Sequence, residues 1–216
     1  MRELASLGWY VKICGVTTVD DAMCVADSGA TALGAILTES TRRIGVARAA
    51  EIAAATQGRI LRIAVVRGDE ETLVRGALER IDFDAVQVHG PLGDELRDWL
   101  RERHVAVIKA LSVETPEFHS YDDREADAVL VEGPIPGSGE PHAWDSLARR
   151  GFTGRVIGAG GLTSSSVGAV IDAYNLWGVD VSTGVESSPG VKDHRRVLDF
   201  VATARRHLEG RMERSG

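Results

Sequence analysis

The sequence predicts a single-domain α/β fold, a (β/α)8 or TIM barrel, on three observations. Short β-branched runs alternate with amphipathic stretches along the whole chain, the pattern of a parallel sheet with helices outside it. Eight such pairs can be counted, the number that closes a barrel of this kind. The 216 residues lie near the lower end of that fold's range, so insertions between elements must be few.

Taken in order, the first strand is predicted over Val11 to Cys14 and the first helix over Val19 to Ser28, with Asp20 as its start signal and Gly29 as its stop. Ala32 to Ile36 and Val46 to Thr56 form the second pair, which Gly58 closes. Arg62 to Val66 with Glu70 to Glu79, and Ala85 to Val88 with Gly93 to Arg103, are the third and fourth. Asp94 supplies a start signal for the fourth helix. Val105 to Ala110 precedes the weakest helical pattern, Pro116 to Asp122. Ala128 to Val131 precedes His142 to Arg150, which ends before Gly151. Arg155 to Gly158 leads into Ser164 to Ala173, with Ser164 to Ser166 as start signals, and Gly178 to Val181 leads into His194 to Leu208. The resulting organisation is an N-terminal extension over 1–10, a barrel over 11–208 and a charged, frayed tail over 209–216.

An open doubly wound sheet is the alternative arrangement. It would place a G-x-G-x-x-G turn after its first strand, whereas Cys14-Gly15-Val16-Thr17 stands there. The glycine-rich Gly158-Ala159-Gly160-Gly161 comes late, and Thr163 occupies the last fingerprint position.

Composition narrows the function. With 44% hydrophobic and 26% charged residues the chain can bury a sizeable core. A net charge of −7 argues against a nucleic-acid partner, which would need a dominant basic field, but leaves local binding of small anions open. Two cysteines are too few for a disulfide framework and fit a reducing, cytoplasmic setting. No apolar run has signal-peptide or membrane-helix length, so neither export nor a membrane partner is expected. No pair of histidines has ligand spacing, so no metal and no cofactor is expected.

In a barrel of this class the working residues lie at the C-terminal ends of the strands and in the loops beyond. The turns Gly158-Ala159-Gly160-Gly161-Leu162 and Ser182-Thr183-Gly184-Val185-Glu186 follow the seventh and eighth strands. That pair of loops can offer backbone N–H groups to one phosphate, with Gly160, Gly161, Ser182, Thr183 and Gly184 as its candidates. A small phosphorylated molecule is thus the expected partner.

Strand residues two apart share a face, so Lys12 and Cys14 both point toward the barrel interior if either does. The cation is expected to favour thiolate, as a cysteine general base requires. Asp180 on the adjacent last strand is the candidate partner that keeps the Lys12 charge from being buried alone. Cys24 sits mid-helix among apolar residues and reads as core. Glu132 ends the run Ala128-Val129-Leu130-Val131 and is either a solvated charge or a proton donor in a drier cleft. Gly133 to Gly139 could close over a ligand or merely connect. Gln87 and His89 share parity on the fourth strand and can face a ligand together. Arg42 or Arg43 could present a planar fork to a carboxylate or phosphate.

At these residues the chain resembles the phosphoribosylanthranilate isomerase family. Val11-Lys12-Ile13-Cys14-Gly15, Val86-Gln87-Val88-His89-Gly90 and Gly158-Ala159-Gly160-Gly161-Leu162 match its first, fourth and seventh strands. Gly178-Val179-Asp180-Val181-Ser182-Thr183-Gly184-Val185-Glu186, followed by Ser188-Pro189-Gly190-Val191-Lys192-Asp193, is the most specific stretch. The resemblance implies a cofactor-free Amadori rearrangement of N-(5-phosphoribosyl)anthranilate in tryptophan biosynthesis. It implies Cys14 as general base, Arg42 as holder of the anthranilate carboxylate, and Glu132 as general acid where the family has aspartate. Thr41 also stands where the family has proline, and the loop after Glu132 is shorter. A related aminoaldose isomerase with another amine, or a non-catalytic phosphate-binding barrel, are the alternatives, and the chain is expected to be a monomer or homodimer.

Overall fold

A computed structural model describes residues 4–122, 125–132 and 141–215, with residues 141–143, 214 and 215 described by their backbone alone. Eight parallel strands close in sequence order into a barrel. They are β1 (Tyr10–Cys14), β2 (Ala32–Ile36), β3 (Leu61–Arg67), β4 (Ala85–His89), β5 (Ala106–Ser112), β6 (Ala128–Glu132), β7 (Val156–Ala159) and β8 (Gly178–Val181). The helices between them are α1 (Val19–Asp27), α2 (Val46–Ala55), α3 (Glu71–Leu78), α4 (Asp94–Glu102), α5 (Pro116–Ser120), α6 (Pro141–Arg150) and α7 (Val167–Tyr174), and α8 (His194–Ser215) follows the last strand. The predicted (β/α)8 architecture is the observed one. Among the described residues no helix is long and apolar enough to cross a membrane.

Strand parity divides the apolar residues into two cores. Tyr10, Ala32, Leu61, Ile63, Ala85, Ile108, Ala128, Leu130 and Ile157 point inward and fill the barrel, where Leu4 and Leu7 from the N-terminal segment join them. The alternate residues, such as Val11, Leu33, Ala64, Val86 and Val129, point outward and pack against the helices. The same alternation carries polar side chains inward as the strands approach their C-terminal ends, because each strand keeps its period of two to the rim. β1 closes the barrel against β8, and the register sets Lys12 opposite Asp180.

Local chemistry moved several element boundaries. α1 is capped by Thr18, whose side chain accepts from the Asp21 N–H at 3.1 Å, so Asp20 lies inside the first turn. α7 starts at Val167 rather than at Ser164. Thr163 and Ser166 tie the preceding residues into a turn through Thr163 N–H to Ser166 Oγ at 3.0 Å and Ser166 N–H to Thr163 O at 3.1 Å. The charged residues 209–215, read from sequence as a frayed tail, continue α8. An Arg205–Glu209 pair at 3.0 Å and a bond from the Arg211 guanidinium to the Leu176 carbonyl hold that last segment. A short antiparallel hairpin, β9 (Glu186–Ser188) and β10 (Val191–Lys192), lies between β8 and α8 and has no counterpart in the sequence reading.

Two glycines give opposite expectations. A Cβ at Gly178 would meet both the Tyr10 carbonyl oxygen and the Tyr10 Cβ at 2.5 Å, across the β1–β8 seam. Gly178→Ala should therefore lower stability by about 1–3 kcal/mol through overpacking. Gly76 lies inside α3 with nothing within 4 Å of its built Cβ, so Gly76→Ala should raise stability by about 0.5–1 kcal/mol. Urea unfolding midpoints of the two variants should move in opposite directions.

Candidate functional site

At the C-terminal rim a cavity of about 340 Å³ opens, within the size range of small-ligand sites. Its floor and walls come from inward-facing residues of seven strands. Cys14 rises from β1, Gln87 and His89 from β4, Glu132 from β6, and Asp180 with Ser182 from β8 and its turn. Ile36 and Val65 supply apolar wall from β2 and β3. Arg42 and Arg67 stand at the mouth. β7 contributes Ala159 and its turn Gly160, Gly161 and Leu162, and the turn after β8 contributes Thr183 and Gly184.

The two turns are packed against each other. A Cβ on Gly184 would lie 2.0 Å from the Leu162 carbonyl oxygen, so only glycine permits this approach. Gly160 and Gly161 have φ of 92° and 66°, which bends the chain away from β7 along the cavity wall. All five candidates for a phosphate cradle therefore border one cavity.

Beneath the floor lies a buried ion pair. The Lys12 ammonium, fully buried, donates to Asp180 Oδ1 at 2.7 Å. Burial alone would lower the Lys12 pKa, but the Asp180 carboxylate and the neighbouring Cys14 sulfur outweigh it and hold the group charged. A Cβ on Gly34 would stand 3.0 Å from Cys14 Sγ and 3.2 Å from Lys12 Nζ, so β2 is pared back where sulfur and ammonium meet.

Lys12 does favour the Cys14 thiolate, but burial outweighs it. Burial pushes the Cys14 thiol up, and Asp180 adds to that. Lys12 and, further down, Lys192 pull the other way without reversing the sign. Cys14 thus rests as a thiol, in contact with the cation that stabilises its ionised form.

Burial also raises the Glu132 carboxyl, with Asp180 reinforcing it and Lys12 opposing it. His89 moves oppositely. Burial, then the charges of Lys12, Lys109 and Arg67, lower its pKa to about 4, so its ring is neutral near neutrality. Gln87 Nε2 lies 2.9 Å from His89 Nε2. With the amide nitrogen as donor the ring nitrogen accepts, which places the ring proton on Nδ1. That nitrogen lies 3.9 Å from Glu132 Oε2.

Arg42 is less free than the sequence reading supposed. Its Nε and Nη2 donate to Glu186 Oε1 and Oε2, each at 2.7 Å, and Nη2 also reaches Thr183 Oγ1 at 3.2 Å. Glu186 in turn accepts from Lys192 Nζ at 2.8 Å. Glu186 and Lys192 were quoted in the most specific sequence stretch without any role, because only the hairpin brings them under Arg42. Arg43 instead forms a β-bridge with Ile36. Cys24 is partly buried and packs against the outer core. The Gly133–Gly139 loop lies outside the described residues. Among the described residues no group of His, Cys, Asp or Glu is arranged to hold a metal ion.

These shifts make stability depend on pH. His89 is held neutral in the fold while its unfolded counterpart takes up a proton below about 6.5. Between about 6.5 and 4 the unfolded state binds more protons, so the stabilising contribution is fully present above 6.5 and falls away as pH drops to 4. His89→Asn should flatten the stability curve across that window, measured by urea unfolding. Glu186, held down to about 2 from 4.5 against its own burial by Arg42 and Lys192, extends the same trend to lower pH. Glu186→Gln should flatten that second window and leave the first unchanged.

Comparisons with known proteins agree with this geometry. Residues 11–203 match the family model described as N-(5'phosphoribosyl)anthranilate (PRA) isomerase. An N-(5'-phosphoribosyl)anthranilate isomerase of Rubrobacter xylanophilus is 38% identical, over 90% of this chain and 98% of its own. One of Geotalea uraniireducens is 37% identical over the same shares. The crystal structure of the phosphoribosyl anthranilate isomerase from Thermus thermophilus superposes with a TM-score of 0.75 at 35% identity, over 90% of this chain and 97% of that one. A further isomerase structure, solved in complex with reduced 1-(o-carboxyphenylamino)-1-deoxyribulose 5-phosphate, gives 0.73 at 28% identity, over 91% and 98%. With the barrel, the rim cavity and these matches over nearly its whole length, the chain belongs to the N-(5'-phosphoribosyl)anthranilate isomerase family.

Proposed function

We propose that this protein converts N-(5-phosphoribosyl)anthranilate to 1-(2-carboxyphenylamino)-1-deoxyribulose 5-phosphate, an Amadori rearrangement of tryptophan biosynthesis. The observation that carries this reading is that a thiol, Cys14, and a carboxyl of raised pKa, Glu132, border the same cavity as the turns after β7 and β8. The reaction needs one group to give a proton and another to take one, on a sugar held by its phosphate.

In this mechanism the Glu132 carboxyl protonates the furanose ring oxygen. The C1–O bond breaks, and the nitrogen lone pair forms a C1=N iminium. Cys14, as thiolate, removes the proton from C2. The C–H electrons form a C1=C2 bond while the iminium π electrons return to nitrogen, and the resulting enol tautomerises to the ketone. Burial suits Glu132 to hold its proton. It makes ionisation of Cys14 the costly event, which Lys12 offsets at contact distance.

The remaining roles follow from position. Gly160, Gly161, Ser182, Thr183 and Gly184 hold the phosphate by backbone N–H groups and hydroxyls at the joined turns. Arg42 takes the anthranilate carboxylate with the guanidinium edge that faces the mouth. Gln87 and His89 orient Glu132 and the sugar hydroxyls, and Asp180 keeps Lys12 in place. Both cysteines are free, which suits a cytoplasmic enzyme. A neighbouring fold of this family, from Thermotoga maritima, is described as dimeric, and a homodimer or a monomer fits this chain.

Cys14→Ala and Glu132→Gln should each lower kcat by about 10²–10⁴-fold with unfolding midpoints near the parent's. Rescue of a tryptophan auxotroph lacking this isomerase should succeed with the parent and fail with both variants. Turnover at parental rates in both variants, or failure of the soluble parent to rescue, would refute the assignment.

A further inference from the structure

We propose that Glu186 is a positioning residue, fixing the Arg42 guanidinium for the aromatic carboxylate of the ligand and, through Lys192, tying that arm to Ser182 of the phosphate turn. The inference rests on the role given to Arg42 above. It adds the part of the molecule that aims Arg42.

The hairpin register sets Lys192 opposite Glu186. Five groups then converge on one carboxylate whose side chain is 3% exposed. Arg42 donates from Nε and Nη2 at 2.7 Å each, Lys192 from Nζ at 2.8 Å, the Gly190 N–H at 3.3 Å and Ser182 Oγ at 3.5 Å. The Glu186 backbone carbonyl is itself held by Arg196 Nη1 at 2.6 Å. The carboxylate cannot move without breaking several charge-assisted bonds.

This arrangement chooses which edge of Arg42 faces the ligand. A guanidinium has five N–H donors in two forks. Glu186 takes the side fork, Nε with Nη2. The end fork remains, with Nη2 toward Thr183 Oγ1 at 3.2 Å and Nη1 toward Thr41 Oγ1 at 3.4 Å. The end fork matches a carboxylate, and rotation away from it would cost the bidentate bond to Glu186. The side chain also lies across the residue after the proposed base, since a Cβ on Gly15 would strike Arg42 Cδ at 2.5 Å.

The second arm runs from Glu186 through Lys192. Its fully buried ammonium lies 3.4 Å from both the Ser182 carbonyl and Ser182 Oγ. One carboxylate between two cations leaves a local charge of +1 facing an anionic ligand. A buried ion network of this kind adds little stability relative to apolar packing, so its value lies in orientation.

The test compares binding of reduced 1-(o-carboxyphenylamino)-1-deoxyribulose 5-phosphate with that of its counterpart lacking the carboxylate, by calorimetry. Glu186→Gln should weaken the carboxylate ligand by about tenfold or more and leave the carboxylate-free ligand within about twofold. Glu186→Asp, which keeps the charge but draws it back from Arg42, should fall between. In the isomerase assay both variants should raise KM far more than they lower kcat. Adding Glu186→Gln to Arg42→Ala should cost nothing further, since both act through one contact. Equal weakening of the two ligands, or additive losses in the double variant, would overturn the proposal. If Arg42→Ala fails to distinguish the ligands while Cys14→Ala still abolishes turnover, the carboxylate role of Arg42 falls and this inference with it, but the acid–base reading stands. Unfolding midpoints of Glu186→Asp, measured alongside, separate lost aim from a lost fold.

Discussion

The seam between β1 and β8 is held by a charge that water cannot reach. Lys12 is fully buried and its ammonium meets Asp180 at 2.7 Å, in the register that closes the barrel. A lone ammonium at that depth would be prohibitive, so each member exists because of the other. Its position under the cavity floor gives it a second consequence. Cys14, Glu132 and His89 all feel the lysine, and the first two also feel the aspartate. For Cys14 and Glu132 the opposite charges partly cancel, which leaves burial to set the direction of each shift. A group with a neutral acid form is pushed up and a base with a cationic acid form is pushed down. Around one pair of charges, burial thereby shifts all three titratable groups toward their uncharged forms.

The mouth is built on a different balance. Arg42, Glu186 and Lys192 form an unequal set, two positive to one negative, behind the cavity wall that Arg42 and Ser182 provide. Arg67 adds another cation to the rim, partly matched by Asp69 at 3.1 Å. The chain as a whole carries −7, so the positive character is local to this rim. That arrangement suits a ligand bearing a carboxylate and a phosphate, which would enter against the net charge of the protein.

Much of this was legible because a strand's side chains alternate with a period of two. Once eight strands were recognised, parity alone put Lys12 with Cys14, Gln87 with His89, and Asp180 with Ser182 on a common face, and the barrel makes that face the inner one. The strand-end rule then selected Glu132. What parity cannot carry is the environment. Lys12 was visible as a neighbour of Cys14, but not that burial would outweigh it, because the depth of a residue depends on all eight strands together. Glu186 and Lys192 were missed as a pair for a related reason. They sit six positions apart on opposite strands of a hairpin, and neither the helical nor the strand period joins them. Lys109 has the outward parity of β5 and lies between barrel and helix, where it donates to the Gly90 carbonyl at 2.9 Å and pairs with Glu117. A lysine in that layer carries no sequence signal that distinguishes it from a surface charge. The start of α7 moved for a local reason, because the turn between Thr163 and Ser166 takes up the residues expected to open the helix.

Glu132 shows how far a single methylene can be absorbed. A longer acid places its carboxyl deeper into the cavity for the same backbone position, and an acid that reaches too freely would sample many rotamers. The neighbouring strands limit that freedom. Gln87 donates to one nitrogen of a neutral His89, so the opposite nitrogen carries the ring proton and stands 3.9 Å from Glu132 Oε2. That ring proton marks the direction from which a carboxylate is drawn, whereas a protonated carboxyl is free to turn its own hydrogen toward a ligand oxygen. The protonation state thus selects the orientation. In the proposed reaction Glu132, once it has given up its proton, would be the better partner for His89. The lowered His89 pKa serves the acid role proposed for Glu132, since an imidazolium at the same place would favour its ionised form.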